Sequence, residues 1–386
     1  MSSSADFTSL RPALQRVLGG FHRLSNSPDF SFQHRLDRNR FPVPELLLIL
    51  LRDVMGFDWD GPGEKVLWSV YFVVDKHSFA VEHAKFGLRV RSSAGEGAML
   101  CRVLGQLESA LGRLERRLQP LIAQQIADGN VILANRSAQF RARYLFFRDQ
   151  ADTAFRTSKP PRQAHGSEPR PHVEEVQVLV GEFSYRIRAE RQGFFYSVAA
   201  TDAYFSYLEH QLTLLRAFLG APLPDTGVVG FLRSRWDEKL KDVLATSSTT
   251  HAALIGRLRD LKERIRNPFA HGGVENDGGS IFCILPGVGP IPGNMSRTRN
   301  GAHFKWIPVD TEDHQASCLL FDELDEVLAK GRLSKASLMA GGGVDPAWNE
   351  DAFKNYRKLM RSSRSNVRHY IEHWNDEQDR HDNMDY

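Results

Sequence analysis

Leucine recurs at alternating spacings of four and three residues through one long segment of the chain. Its positions are Leu100, Leu104, Leu107, Leu111, Leu114, Leu118 and Leu121. This heptad spacing predicts an amphipathic helix. Beyond a polar turn at residues 128–130, the same register continues at Leu133, Phe140, Tyr144 and Phe147. The pattern predicts an antiparallel helical hairpin over about residues 98–156, and a dimerising coiled coil is the alternative.

Apolar residues at helical spacing also dominate the C-terminal part of the chain. Residues 201–219, 231–243 and 249–265 each place large apolar side chains on one face, which predicts three amphipathic helices. Two shorter apolar segments, joined by a connection rich in glycine and proline, predict a β-hairpin insertion over about residues 280–309. The predicted fold class is therefore mainly α.

A proline-rich stretch divides the chain. Residues 157–172 contain four prolines and no large apolar side chain, which is the composition of a linker. It separates a predicted mostly helical N-terminal domain (1–156) from a C-terminal domain (173–335), and a C-terminal helix with a polar tail follows (336–386). Within the first domain, residues 85–91 alternate like a short strand that would place on one face Phe86, Leu88 and Val90.

The composition narrows the class of protein only a little. The chain has 386 residues, of which 41% are hydrophobic and 25% charged. A net charge of +3 and a pI near 8.7 permit a nucleic-acid partner without indicating one. The three separated cysteines form no CxxC pair, so neither a thiolate zinc site nor a disulfide framework is expected. The longest aliphatic run is too short for a bilayer and no secretory signal is visible; we expect a cytoplasmic protein without membrane association.

The string with the most chemical content closes the third C-terminal helix. It reads Arg266-Asn267-Pro268-Phe269-Ala270-His271-Gly272-Gly273. Arginine binds phosphate through a planar fork of donors, and histidine exchanges a proton near neutral pH. Asn267 adds an amide, and the glycine pair would let a polymer backbone approach His271. The alternative is a structural role, because Arg and His at a helix C-terminus also cap carbonyl groups.

Spacing alone does not single out this pair. In two other pairs, Arg364/His369 and Arg368/His373, four residues also lie between the arginine and the histidine. On that polar helix, the favoured interpretation is a solvated basic surface, and a metal site at His369 and His373 would lack a third ligand. Context distinguishes Arg266 and His271, since they follow a well-formed amphipathic helix and precede two glycines.

The whole string resembles the signature of the HEPN superfamily. In that family an arginine is usually followed by a polar residue, and four to six residues lie between the arginine and a histidine; Arg266, Asn267 and His271 match in type and order. The resemblance covers residues 173–335 and implies a HEPN-like helical bundle, although the strand insertion departs from the minimal bundle. Many members are metal-independent endoribonucleases of toxin–antitoxin, abortive-infection and CRISPR systems. The resemblance therefore implies an RNA-cleaving homodimer in a toxin or anti-phage defence context.

The expected site follows from these residues. His271 would act as general acid or base, Arg266 would stabilise the charged transition state, and Asn267 would orient the phosphate or the arginine. Glu209 and Arg264 are possible supporting residues, each with an ordinary surface role as the alternative. We expect no cofactor and no metal, RNA as the substrate, and an antitoxin or regulatory partner. The alternative function is a non-catalytic HEPN-like dimerisation or interaction protein.

Overall fold

A computed structural model describes most of the chain and shows a mainly helical protein with antiparallel sheet. The described residues are 7–24, 30–95, 97–157, 172–222, 227–245, 248–266, 281–296, 301–303 and 309–384. The chain divides into two compact units. Unit 1 comprises Met1–Ala127 and Glu372–Tyr386, and unit 2 comprises Asp128–Ile371.

Unit 1 is built on a six-stranded antiparallel sheet. Its strands are β1 (Phe21–His22), β2 (Phe32–Arg35), β3 (Asp58–Asp60), β4 (Val66–Val74), β5 (His77–Ala84) and β6 (Gly87–Ser92). They lie in the order β1-β4-β5-β6-β2, with β3 also paired to β4. The β4–β5 hairpin turns at Asp75 and Lys76, which both have positive φ, the conformation that matches the right-handed twist of paired strands.

The helices of unit 1 cover this sheet. They are α1 (Arg11–Gln15), α2 (Pro44–Leu48, continued by a π-helical segment Ile49–Val54) and α3 (Ala98–Ala127). The leucine stripe of α3 is buried from Leu100 to Leu118 in one hydrophobic cluster with Phe72 and Phe79 of the sheet. The expectation of a mostly helical N-terminal domain is therefore wrong, because a sheet forms the partner of the long helix.

The predicted short strand is confirmed with a shifted start. β6 begins at Gly87, and Leu88 and Val90 are buried as expected. Phe86 is 77% exposed, because it precedes the strand in the turn from β5. Gly87 has a φ of +112°, a conformation that glycine adopts without strain. It therefore lets the turn pass directly into β6.

The predicted helical hairpin is also corrected. Its second helix, α4 (Ser137–Thr157), belongs to unit 2 and packs antiparallel along α5 (His172–Phe218). The predicted linker, of which residues 158–171 lie outside the described ranges, therefore joins two helices of one unit and is not a domain boundary. An apolar stripe shows that one face of a helix packs against another element, but it does not show which element that is. The leucine stripe of α3 therefore could not distinguish a sheet from a second helix as its partner.

The α4–α5 contact depends on a glycine. A Cβ atom at Gly193 would lie 2.7 Å from the ring of Phe155, whereas one at Gly181 would meet nothing within 4 Å. Because Phe155 is buried, we expect Gly193→Ala to lower the free energy of unfolding by about 1–3 kcal/mol. Gly181→Ala on the same helix should instead stabilise by up to about 1 kcal/mol. Urea titrations of both variants test this, and equal midpoints would contradict the close packing.

Unit 2 is arranged around α5. Its other helices are α6 (Gly227–Arg233), α7 (Trp236–Leu244), α8 (Thr249–Leu261, continued by a π-helical segment Lys262–Arg266), α9 (Thr311–Ala329), α10 (Ser334–Gly341), α11 (Glu350–Arg361) and α12 (Arg364–Asn383, which ends in unit 1). α5 contacts α4, α7, the π-helical segment, α9, α10 and α11. Phe321 of α9 stacks on Tyr204 of α5 with ring centroids 3.9 Å apart. The predicted single C-terminal helix is therefore several shorter helices.

The predicted strand insertion is a three-stranded sheet. Its strands are β7 (Ile281–Leu285), β8 (Gly289–Ser296) and β9 (Gly301–His303). The connection read from the sequence as a long turn is itself the middle strand. Its prolines, Pro290 and Pro292, pair only with β7, while β9 pairs further along at Asn294–Ser296. Proline is tolerated there because that part of β8 has one neighbour among the described strands.

Candidate functional site

The candidate motif begins where α8 ends. Arg266 is the last residue of the π-helical segment Lys262–Arg266, and the structure describes its backbone only. Asn267 and His271 lie outside the described residues. The predicted helix before the motif is confirmed, so Arg266 extends from a regular element.

The support beneath Arg266 is anchored in the core of unit 2. One face of α8 and of the π-helical segment is buried, at Leu254, Ile255, Leu258, Leu261 and Ile265. On the segment itself, the ammonium of Lys262 lies over the rings of Phe205 and Trp236, 5.3 and 5.4 Å from the ring centroids. Cation–π contacts of this kind add to the apolar packing, so the π-helical segment that leads to the motif is held at Lys262 as well as along its buried face.

Arg264 is bound by an internal carboxylate. Its Nη2 donates to Oδ1 of Asp313 at 3.3 Å. Asp313 in turn belongs to the first turn of α9, where its backbone N–H donates to the side chain of Asp310 at 2.9 Å. Arg264, a candidate for a supporting role at the site, thus ties the π-helical segment to the start of α9.

Glu209 occupies a different environment. It is exposed on α5, and its carboxylate is close enough to Lys239 of α7 to oppose the lowering of the pKa of Lys239 that burial causes. The Lys239 ammonium donates to the carbonyl oxygen of Leu232 at 2.9 Å. The two supporting candidates therefore have different partners, Asp313 on α9 for Arg264 and Lys239 on α7 for Glu209.

A second polar cluster adjoins the Arg264–Asp313 pair, and no motif or spacing in the sequence predicts it. His314, the residue after Asp313, is only 2% exposed. Its Nδ1 lies 2.9 Å from Oγ of Ser197, and its Nε2 lies 3.4 Å from Oδ1 of Asp152. Asp152 and His314 also line an open cavity of about 320 Å³. Three helices, α4, α5 and α9, supply this cluster.

Burial lowers the pKa of His314, although the nearby Asp152 carboxylate raises it and Arg148 lowers it further. The folded protein therefore favours the neutral imidazole. A group whose folded pKa lies below its unfolded value of about 6.5 stabilises the fold above that pH, and this stability is lost as the pH falls.

We therefore expect the free energy of unfolding to decrease between about pH 7.5 and about pH 5, and to decrease less in His314→Gln. Burial also lowers the pKa of His83 and of His210, and both remain in the variant, so the difference between the two slopes isolates His314. Urea titrations at several pH values measure it. Parallel slopes would show that His314 does not contribute.

The described residues offer no ready metal site, since no three His, Cys, Asp or Glu side chains among them converge on a point that could hold an ion. Within the same part of the chain, no helix is both long enough and apolar enough to cross a membrane.

No known protein family, curated protein sequence or solved structure matches the chain.

Proposed function

We propose that the chain is a metal-independent endoribonuclease with a HEPN-like domain, and that Arg266, Asn267 and His271 form its active site. One observation carries the proposal: the motif string follows directly on a helix whose apolar face is anchored in the core of unit 2. A side chain that stabilises a transition state needs such a fixed support, because catalysis depends on placing the catalytic groups to within a fraction of an ångström.

The local backbone supports the same interpretation. The residues before the motif form a π-helical segment, a rare conformation that occurs frequently at functional sites. The ion pair of Arg264 with Asp313 ties this segment to α9. We infer that Arg264 positions the segment and that Arg266 contacts the phosphate.

The proposed chemistry needs no metal. His271 removes the proton of the 2′-hydroxyl or protonates the leaving 5′-oxygen, and Arg266 stabilises the extra negative charge on the phosphorus oxygens. The 2′-oxygen forms a bond to phosphorus as the bond to the 5′-oxygen breaks, which yields a 2′,3′-cyclic phosphate and a 5′-hydroxyl. One motif has one histidine, whereas the reaction uses an acid and a base, so the proposal includes a homodimer with two motifs in one cleft.

The proposed cellular role is that of a toxin or anti-phage defence protein, held inactive by an antitoxin or a regulatory partner. This role follows from the resemblance to HEPN ribonucleases. A chain that degrades RNA would harm its own cell unless its activity were restrained, so we expect such a partner to hold it inactive.

The test is cleavage of single-stranded RNA by the purified chain in buffer with EDTA. We expect cleavage of RNA and no cleavage of DNA of the same sequence, because DNA lacks the 2′-hydroxyl nucleophile. Cleavage that stops on chelation, or an equal rate on DNA, would contradict the proposal.

A second candidate function, a non-catalytic interaction protein, is favoured by exposed aromatic side chains on α4 and α5. Phe146, Phe183 and Phe195 are all more than half exposed, so each offers an apolar ring that a protein partner could cover. Expression in a bacterial host distinguishes the two functions. A nuclease should arrest growth and be relieved by His271→Ala, whereas the effect of an interaction protein should not depend on His271.

A further inference from the structure

A second cavity in unit 2, of about 300 Å³, has a lining that indicates a small polar ligand. It lies between α4, α5, α9 and α10, and its polar lining includes Arg141, Tyr207, Gln211 and Asp325. Asp325 is twelve residues beyond Asp313 on α9, a separation of about 18 Å along a helix. The cavity is thus distinct from the Arg264–Asp313 pair beside the nuclease motif.

Gln211 is the first indication of a ligand. It lines the cavity although the residue as a whole is only 8% exposed. A side-chain amide has two donors and an acceptor. A polar ligand in the cavity would find in Gln211 both a donor and an acceptor.

One cationic and one anionic side chain line the cavity, Arg141 and Asp325. Oδ1 of Asp325 accepts a hydrogen bond from the hydroxyl of Tyr204 at 2.9 Å. Arg141 is close enough to Asp325 to lower the pKa of Asp325, against the larger raising effect of burial. Asp325 is thus a partly buried carboxylate whose charge would be stabilised by a further cationic group.

We propose that this cavity binds a free α-amino acid. The ligand's carboxylate pairs with the guanidinium of Arg141, its ammonium with the carboxylate of Asp325, and Gln211 donates to or accepts from the same polar end. Leu328 and Ala138 provide apolar lining for the ligand side chain. The balanced charge favours a zwitterion and disfavours a polyanion such as a nucleotide, which would face Asp325. This site does not depend on the nuclease proposal.

The experiment is a calorimetric titration of the full chain with each of the twenty common α-amino acids. We expect binding of at least one, and loss of that binding for its N-acetyl and decarboxylated analogues. Arg141→Gln and Asp325→Asn should each weaken binding by at least about tenfold, the loss expected for a charge-assisted hydrogen bond. Arg143→Gln, on the same helix but paired with Asp202, should bind like the unaltered chain.

Gln211→Leu separates binding from folding. It replaces an amide that lines the cavity by an apolar side chain of similar size, so the unliganded variant should melt close to the temperature of the unaltered chain while binding is lost. Failure of every amino acid to bind the unaltered chain would overturn the proposal. Arg141→Gln and Asp325→Asn variants that bind as tightly as the unaltered chain, or binding of nucleosides in place of amino acids, would overturn it as well.

Discussion

His271→Ala is expected to reduce RNA cleavage by about 10²–10⁴-fold, the contribution typical of a positioned general acid or base. Arg266→Ala should cost about 10²–10³-fold, comparable to the loss of an oxyanion donor. The two losses should not multiply, because both groups act on one transition state. Initial rates on a labelled single-stranded RNA in EDTA compare the two single variants with the double variant.

The chain contains its own matched control for this prediction. Arg364 and His369 have the same spacing as Arg266 and His271, and both are exposed on α12. Arg364→Ala and His369→Ala should therefore leave cleavage unchanged. If these variants lose as much activity as Arg266→Ala and His271→Ala, the activity does not come from the proposed motif.

Phe321→Ala is expected to lower the free energy of unfolding by about 3–5 kcal/mol, the usual cost of removing a buried phenyl ring. Phe321 is 1% exposed. It stacks on Tyr204 and meets Tyr144 edge-on at 5.9 Å between ring centroids. The substitution thus removes the ring that α4, α5 and α9 share, and the rigid aromatic neighbours cannot fill the space.

Leu319→Ala provides the control, because Leu319 lies two residues away on the same helix and is 69% exposed. Its effect should stay within about 0.5 kcal/mol. Urea titrations followed by circular dichroism compare the two variants. A Phe321→Ala midpoint equal to that of Leu319→Ala would contradict the central position of α9 in unit 2.

The helices were the most predictable part of this fold. The stripes of α3 and α8 each bury one face as their spacing predicts. The sheet of unit 1 was missed because β4 reads Val66–Val74 as a nearly continuous apolar run, without the alternation that identifies a half-exposed strand. The partner of α3 was missed for another reason, since contacts between distant segments leave no local periodicity.

The candidate site shows the same limit. Spacing and context identify Arg266 and His271, because both belong to one short string. The neighbours of that string come from elsewhere: Asp313 binds Arg264, and Asp152 lies beside His314. More than a hundred residues separate Asp152 from His314 in the chain, so only the fold brings them together.

The most direct measurement is the cleavage, in EDTA, of an RNA oligonucleotide and of the same oligonucleotide with a 2′-deoxy sugar at the scissile position. The proposed site predicts cleavage of the first only, with a 2′,3′-cyclic phosphate on one product and a 5′-hydroxyl on the other. Cleavage of the deoxy substrate, or products that carry a 5′-phosphate, would show that the 2′-hydroxyl is not the nucleophile and would contradict the central claim.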